Sequence, residues 1–266
     1  WLNSQSAGIL TEIDIVIELE SFRSANPELY DISFETICAS GPNAALPHYR
    51  VNNDSNRTVK NGEVILIDSG GQYKSGTTDI TRTTALGQVS SEIKQAFTLV
   101  LKGMISISKL RFPKGMAGCD LDAFARVFLW SRGLDFAHGT GHGVGQFLSV
   151  HEGPQRLSRT SNVPFEAGMI ISNEPGFYKE GHFGIRIENL LTVTKAPKLE
   201  HSVVAEMFIF ETLNFVPIDK NLIEKDLMST DEIVWLNEYH SQCREKIRAH
   251  LDKNERIWLD HATNKL

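Results

Sequence analysis

Cysteine is scarce in this 266-residue chain, which has three: Cys38, Cys119 and Cys243. An odd number at wide spacing supports neither a disulfide framework nor a zinc knuckle. It reads instead as free thiols in a reducing cytoplasmic setting. Long apolar runs are missing too. None approaches the roughly 20 residues of a membrane span, and no hydrophobic tail points to a lipid anchor. Basic charge is in deficit, with 27 Lys and Arg against 33 Asp and Glu, a net charge of −6. That balance gives no electrostatic reason to expect nucleic acid or an anionic membrane as partner. There is no low-complexity linker or charge run, and no domain boundary stands out. The first residue is Trp1 rather than Met, which reads as a fragment or processed form, so a missing signal peptide excludes little. The remaining composition, 41% hydrophobic and 23% charged, is ordinary for one large or two average globular domains.

What the chain does have is a concentration of imidazole and glycine. The stretch His138-Gly139-Thr140-Gly141-His142-Gly143-Val144-Gly145 continues to Val150-His151-Glu152-Gly153-Pro154. Imidazoles bind metals and move protons near neutral pH, and glycines let a backbone approach a ligand or turn sharply. The strict alternation of Gly139, Gly141, Gly143 and Gly145 does not spell a dinucleotide fingerprint, and no Gly-Lys-Ser/Thr phosphate loop follows. His138 and His142 are four apart, but a zinc-protease helix needs a Glu after the first His and tolerates few glycines. No nucleophile elbow supports a Ser-His-Asp triad.

The partners for these histidines come from two hairpin patterns. Glu63–Asp68 is an apolar run ending in an acid, followed by a glycine-rich connection and the β-branched segment Thr77–Thr84, which carries Asp79. Gly168–Glu174 is again an apolar run ending in an acid, and Phe183–Asn189 again carries one, Glu188. Asp is depleted in strands, so its placement there asks for a reason. Around the hairpins, the pattern predicts helices over 9–30 (capped by Thr11), from Ser90 or Ser91 to about Leu110, from Asp120 to near Gly133, and from about Asp231 onward. It predicts strands over 34–40 and 203–218, a turn at Gly41-Pro42-Asn43, and strand or loop through His138–Val150. The terminal helix reads either as an oligomer contact or as packing on its own domain. The chain therefore holds two related halves, each with helical material and a hairpin carrying one acid per strand.

Collecting the acids and imidazoles at strand ends gives Asp68, Asp79, His142, Glu174 and Glu188. Each like-charge pair near 4 Å would cost roughly 1–4 kcal/mol, depending on the effective dielectric. Two divalent cations would cancel the four charges, and oxygen-rich ligation with one imidazole suits Mn, Co or Zn. His48, His138 and His151 are then placed to meet substrate or a developing oxyanion. Arg186 lies two residues before Glu188 and is expected to share its face and orient that carboxylate.

These motifs, with Gly76–Arg82, Asn173-Glu174-Pro175-Gly176, Gly184–Asn189, Ser40–Asn43 and Trp235–His240, resemble those of the pita-bread metallopeptidases. Within them, the closest resemblance is to the Xaa-Pro aminopeptidases (aminopeptidase P) of the larger, eukaryotic-cytosolic-like type. The resemblance implies one pita-bread catalytic domain over 1–266 with a C-terminal helical extension from about residue 220. It implies an α+β fold of two pseudo-symmetric halves around a mainly antiparallel curved sheet flanked by helices. It places Asp68 and Asp79 on one metal and His142 and Glu174 on the other, with Asp79 and Glu188 bridging and Glu174 shuttling the proton. It makes His48, His138 and His151 substrate-site residues and manganese the usual metal. The substrate it implies is a peptide with proline second. It further implies a cytoplasmic homodimer, and non-catalytic N-terminal domains that these 266 residues do not include. Prolidase, methionine aminopeptidase and a non-catalytic peptide-binding module share the fold. The Thr-Gly-His-Gly-Val-Gly and Val-His-Glu-Gly-Pro forms favour aminopeptidase P over prolidase, and the full ligand set argues against the module.

Overall fold

The computed structural model describes residues 1–5 and 8–266. The first half opens with helix α1 (Glu12–Ser24), where Thr11 and Asp14 form a reciprocal capping box. The expected helix over 9–30 is shorter than predicted. Asn26-Pro27 breaks it, and Leu29–Ile32 forms strand β1 instead. Strands β2 (Ile37–Ser40), β3 (Val64–Ser69), β4 (Gly71–Tyr73), β5 (Gly76–Thr77) and β6 (Ile80–Ala85) follow. The expected strand over 77–84 is thus two strands with Thr78 and Asp79 between them. The turn at Gly41 is one 3-10 segment, Gly41–Ala45.

Helix α2 (Ser91–Ser108) is capped by Ser90, β7 is Arg111–Pro113, and α3 is Gly118–Trp130. Asp120 is the third residue of α3, not its cap, and accepts from the Ala117 N–H. The glycine-histidine stretch contributes only a two-residue strand, β8 (Gly141–His142), paired with β9 (Arg156–Leu157). The second half continues with β10 (Ile170–Asn173), β11 (Gly176–Lys179), β12 (Phe183–Arg186), β13 (Asn189–Lys195) and β14 (Met207–Thr212). It ends in α4 (Thr230–Ile247), capped by Ser229 and Glu232, and α5 (Lys253–Ala262). The strand expected over 203–218 is confined to β14. Leu213 adds one more main-chain bond to Leu190, and beyond it the chain is held by side chains.

Every strand pairing among the described residues is antiparallel. The ladder β2-β3-β6 carries the inserted hairpin β4-β5, and β10-β13-β14-β7 carries the inserted hairpin β11-β12. The two halves therefore repeat one plan: an outgoing strand, a small hairpin, and a returning strand. They are joined along β6. The Glu188 N–H donates to the Thr81 carbonyl (3.1 Å), and the Thr83 hydroxyl donates to the Arg186 carbonyl (2.9 Å).

Helix α2 is the hub of the core. Phe97, Leu101 and Met104 are fully buried in a cluster with Ile185, Leu222 and Leu236, while Ile107 reaches a second cluster around Phe112 and Leu191. Each such side chain contributes roughly 1.5–3 kcal/mol by burial. Helix α4 buries Leu236, Tyr239 and Cys243 against the same core, so this helix packs on its own chain.

Candidate metal centre and substrate cavity

The repeated plan places one acid at each corner of each inserted hairpin. Asp68 is the penultimate residue of β3, and Asp79 stands just before β6. Glu174 follows β10 directly, and Glu188 stands just before β13. Side chains there project from the ladder ends, and the antiparallel returns bring all four together. His142 joins them from β8. A Cβ at Gly141 would collide with the Ser172 carbonyl, so only glycine lets β8 lie this close to β10. The Ser172 hydroxyl then accepts from the His142 N–H (2.9 Å) and donates to Glu174 Oε1 (3.0 Å).

The donor chemistry at this centre fits a cation. His142 Nδ1 donates to the Gly143 carbonyl (2.9 Å), which leaves Nε2 with its lone pair. That lone pair faces Glu174 Oε1 at 3.3 Å and Asp79 Oδ2 at 3.4 Å. Asp68 Oδ1 and Glu188 Oε1 are buried with no hydrogen-bond partner. Ligand atoms of Asp79, His142 and Glu188 lie within 4.8 Å of one another. Converging acceptors without protons between them repel, and a positive ion removes that repulsion. Burial pushes the Asp79 and Glu188 carboxyls well above the usual carboxylate range. Neighbouring carboxylates, including Asp68 and Glu174, push both in the same direction.

Arg186 is the buried counter-charge. Its Nη2 donates to Asp68 Oδ2 at 2.7 Å, and its Nε lies 3.8 Å from Glu174. Toward Glu188 it acts through one intermediary: Arg186 Nε donates to the Thr81 hydroxyl (3.2 Å), which donates to Glu188 Oε2. Strand β12 ends at Arg186, so Ile187 and Glu188 leave its pleat. Of Arg186 and Thr81, only the Thr81 hydroxyl donates to Glu188 directly (3.0 Å).

A cavity of about 620 Å³ opens onto this centre and is lined by Asp68, Asp79, His142 and Glu174 together with His48, His138 and His151. Glu188 lies beneath it, 1% exposed. His138 Nδ1 donates to the Gly139 carbonyl (2.7 Å), and the Tyr178 hydroxyl donates to Nε2 (2.8 Å). Tyr178 in turn accepts from Arg186 Nη1 (2.8 Å), giving an unbroken chain Asp68–Arg186–Tyr178–His138. Burial pushes the Tyr178 phenol up to about 12. Burial also holds the His138 and His151 imidazoles below the ordinary histidine value. The His151 ring lies edge-on to His142, 4.1 Å between centroids.

Tyr178 escapes a reading of the sequence. It is an ordinary aromatic in a strand, and its only signal is its place on the hairpin between two acids. Asp122 and Arg126 on α3 escape it too. Arg126 donates to the Phe136 and His138 carbonyls (2.7 Å each), and Asp122 accepts from the Thr140 hydroxyl (2.7 Å). This buried pair clamps the backbone that carries His138.

The chain matches the sequence profile of metallopeptidase family M24 over residues 3–195, and that of the family's C-terminal region over 206–266. It belongs to metallopeptidase family M24. Among curated relatives, a probable Xaa-Pro aminopeptidase P of Paracoccidioides lutzii is 43% identical over 99% of this chain and 44% of its own length. Among solved structures, the X-prolyl aminopeptidase of Caenorhabditis elegans superposes with a TM-score of 0.94 at 38% identity. It covers all of this chain and 44% of its own, and is described as a cytosolic enzyme with a di-nuclear active site. A prolidase of Pyrococcus furiosus reaches a TM-score of 0.66 at 29% identity, over 73% of this chain and 55% of its own. The chain thus spans less than half the length of these two aminopeptidases. The α+β pita-bread architecture with its repeated half is that of this family. No helix among the described residues is long and apolar enough to cross a membrane.

Proposed function

We propose that this chain is the single catalytic domain, with a helical C-terminal extension, of an Xaa-Pro aminopeptidase that removes the first residue of peptides whose second residue is proline. One observation carries the reading: four carboxylates and one lone-pair imidazole converge at the floor of a cavity whose walls hold three further histidines. Asp68, Asp79, His142, Glu174 and Glu188 would hold two divalent cations, with Asp79 and Glu188 shared between them. Manganese is the metal the motif resemblance favours. Bound there, such ions act as Lewis acids on a carbonyl oxygen and lower the pKa of a water toward 7.

The chain's own residues supply the rest. Glu174 is half-buried at the cavity floor and is placed to take a proton from the attacking water and return it to the leaving proline nitrogen. The Ser172 hydroxyl donates to one of its oxygens, and the Arg186 guanidinium lies 3.8 Å from the other as a neighbouring positive charge. His48, His138 and His151 are presented to the substrate from the cavity wall. The Tyr178 hydrogen bond fixes the His138 tautomer, so that its ring is held neutral and in place. By likeness to the worm enzyme, we place the protein in the cytosol, and we take it to be a homodimer from the family resemblance.

Hydrolysis of Xaa-Pro-Xaa tripeptides by the full-length protein, assayed with Mn, Co and Zn, tests this reading. Release of the first residue is expected, with no cleavage when alanine replaces proline. Cleavage of Xaa-Pro dipeptides alone would make the protein a prolidase. A protein that binds no divalent metal would be a peptide-binding module.

A further inference from the structure

The C-terminal region, matched as a module of its own, does more than cap the core. The segment between β14 and α4 runs beneath the metal centre, and Asn214 on it touches both halves of the chain. Asn214 Nδ2 donates to the main-chain carbonyl of Asp79 (2.7 Å), and Asn214 Oδ1 accepts from the N–H of Leu190 (3.0 Å), two residues past Glu188. One side-chain amide therefore spans the backbones on which the two buried carboxylates, Asp79 and Glu188, are mounted.

A second tie runs alongside it. Arg82, three residues past Asp79, donates to the Glu188 carbonyl, to Asn189 Oδ1 (2.8 Å) and to the Val216 carbonyl (2.7 Å). Its Nη2 also donates to the Tyr239 hydroxyl (2.7 Å), which accepts from the Val216 N–H (3.1 Å) as well. Tyr239 is 3% exposed on α4, stacked on Trp235 with centroids 5.4 Å apart and planes 3° apart. The motif Trp235–His240 is thus the anchor of a brace, and the brace ends at the two acids.

We infer that Asn214 and Tyr239 are positioning residues for the metal centre: they set the separation of Asp79 and Glu188, and thereby the affinity of the site for divalent cations. The two acids arrive from separate halves, and their side chains repel. Their spacing cannot come from their own attraction and must be imposed through the backbone. The brace does this from a region that supplies no ligand. Outer partners of this kind typically change metal affinity by about 10–100-fold.

The inference rests on the dimetal reading above, and the test separates the two. Full-length protein, stripped with chelator, is titrated with Mn2+ by calorimetry and melted with and without Mn2+. The variants are Asn214→Ala, Tyr239→Phe (which keeps the ring and removes only the hydroxyl) and Ile218→Val as a control. Ile218 is buried in the same segment but makes no side-chain hydrogen bond. Asn214→Ala and Tyr239→Phe should weaken Mn2+ binding about 10–100-fold and shrink the Mn2+-dependent rise in Tm. Ile218→Val should lower the metal-free Tm and leave Mn2+ affinity at the wild-type value. A brace that is merely structural would make all three variants behave like the control. Variants that bind Mn2+ as tightly as wild type overturn the inference alone, and Tyr239→Phe decides if Asn214→Ala does not fold. A wild-type protein that binds no Mn2+ sinks the dimetal reading and this inference with it.

Discussion

Removing the metals should make the protein's stability depend on pH in the opposite sense from the loaded form. In the chelated protein, Asp68, Asp79, Glu174 and Glu188 face one another with Arg186 as the adjacent cation. Asp79 is 4% and Glu188 1% exposed, and burial with like-charged neighbours holds both carboxyls well above the usual range. A carboxyl whose folded pKa exceeds its unfolded value keeps its proton more readily when folded. The stability it contributes is complete below the unfolded value near 4 and is lost as pH rises through the raised folded value. The pair shares one site, so one proton is the conservative count. That amounts to about 1.4 kcal/mol per pH unit, or about 3 °C in Tm for a chain of this size. In the Mn2+-loaded protein, protons compete with the cation, so metal stabilisation grows with pH. Calorimetric melts from pH 5.5 to 8, in EDTA and in excess Mn2+, should show the gap between the two forms widening by several degrees. Asp79→Asn should flatten the slope of the chelated form. A gap that stays constant or narrows toward pH 8 would refute the claim that these acids are held against their own repulsion.

The same geometry makes further outcomes measurable. Asp79→Asn should reduce peptide hydrolysis by roughly 100-fold or more while leaving the circular dichroism spectrum and the chelated Tm at or above wild type; a retained wild-type rate would remove Asp79 from the centre. Tyr178→Phe, which cuts the Arg186–Tyr178–His138 chain, should lower kcat/KM by about 10–100-fold with no loss of fold, and unchanged kinetics would leave His138 positioned by other means. His240 is fully buried, accepts from the Ile218 N–H (3.1 Å), and is driven by burial down to about 4, so its NMR titration midpoint should lie near that value rather than above 6. Its stabilising effect is complete above about pH 6.5 and disappears as pH falls toward 4. Gly141→Ala should yield a destabilised or insoluble protein, since its methyl meets the Ser172 carbonyl; a well-folded variant would contradict the close approach of β8 and β10.

Which parts of this were legible from the sequence follows from the range of the forces involved. The four acids stood out because each interrupts or ends an apolar β-branched run, where a charge has no local reason to be. The helix caps at Thr11 and Ser90 were legible, because a cap is a contact over three residues. The overlong helix at 9–30 shows the limit. Leu29–Ile32 becomes a strand only because Gly71–Tyr73 offers it a ladder some forty residues away. Arg186 illustrates another. Period-two alternation placed it beside Glu188, but β12 ends at Arg186, and its guanidinium reaches Glu188 only through the Thr81 hydroxyl while it bonds directly to Asp68, 118 positions away in the chain. Tyr178, Asp122, Arg126 and Asn214 carry no unusual local pattern at all. Their roles exist only in contacts between distant segments.

The placement of the acids also shows how a fold tolerates a cluster that opposes it. An acid in the middle of a strand would sit in a fully paired ladder flanked by apolar neighbours, and its desolvation would tax the core directly. Here, three of the four lie just outside a strand, and Asp68 is one residue from the end of its own. At those junctions the chain turns into an inserted hairpin and the ladder is already ending, so displacing a carboxylate does not unzip the sheet. The halves are held together instead by neutral contacts that surround the cluster: the Thr81 and Thr83 pairings to the 186–188 backbone and the Asn214 amide to Asp79 and Leu190. Because those bonds do not change charge with pH or metal, the centre can lose its cations and lose stability without losing its shape. An apo site of that kind is preorganised for metal, which is why the affinity of the brace variants, rather than their fold, is the informative measurement.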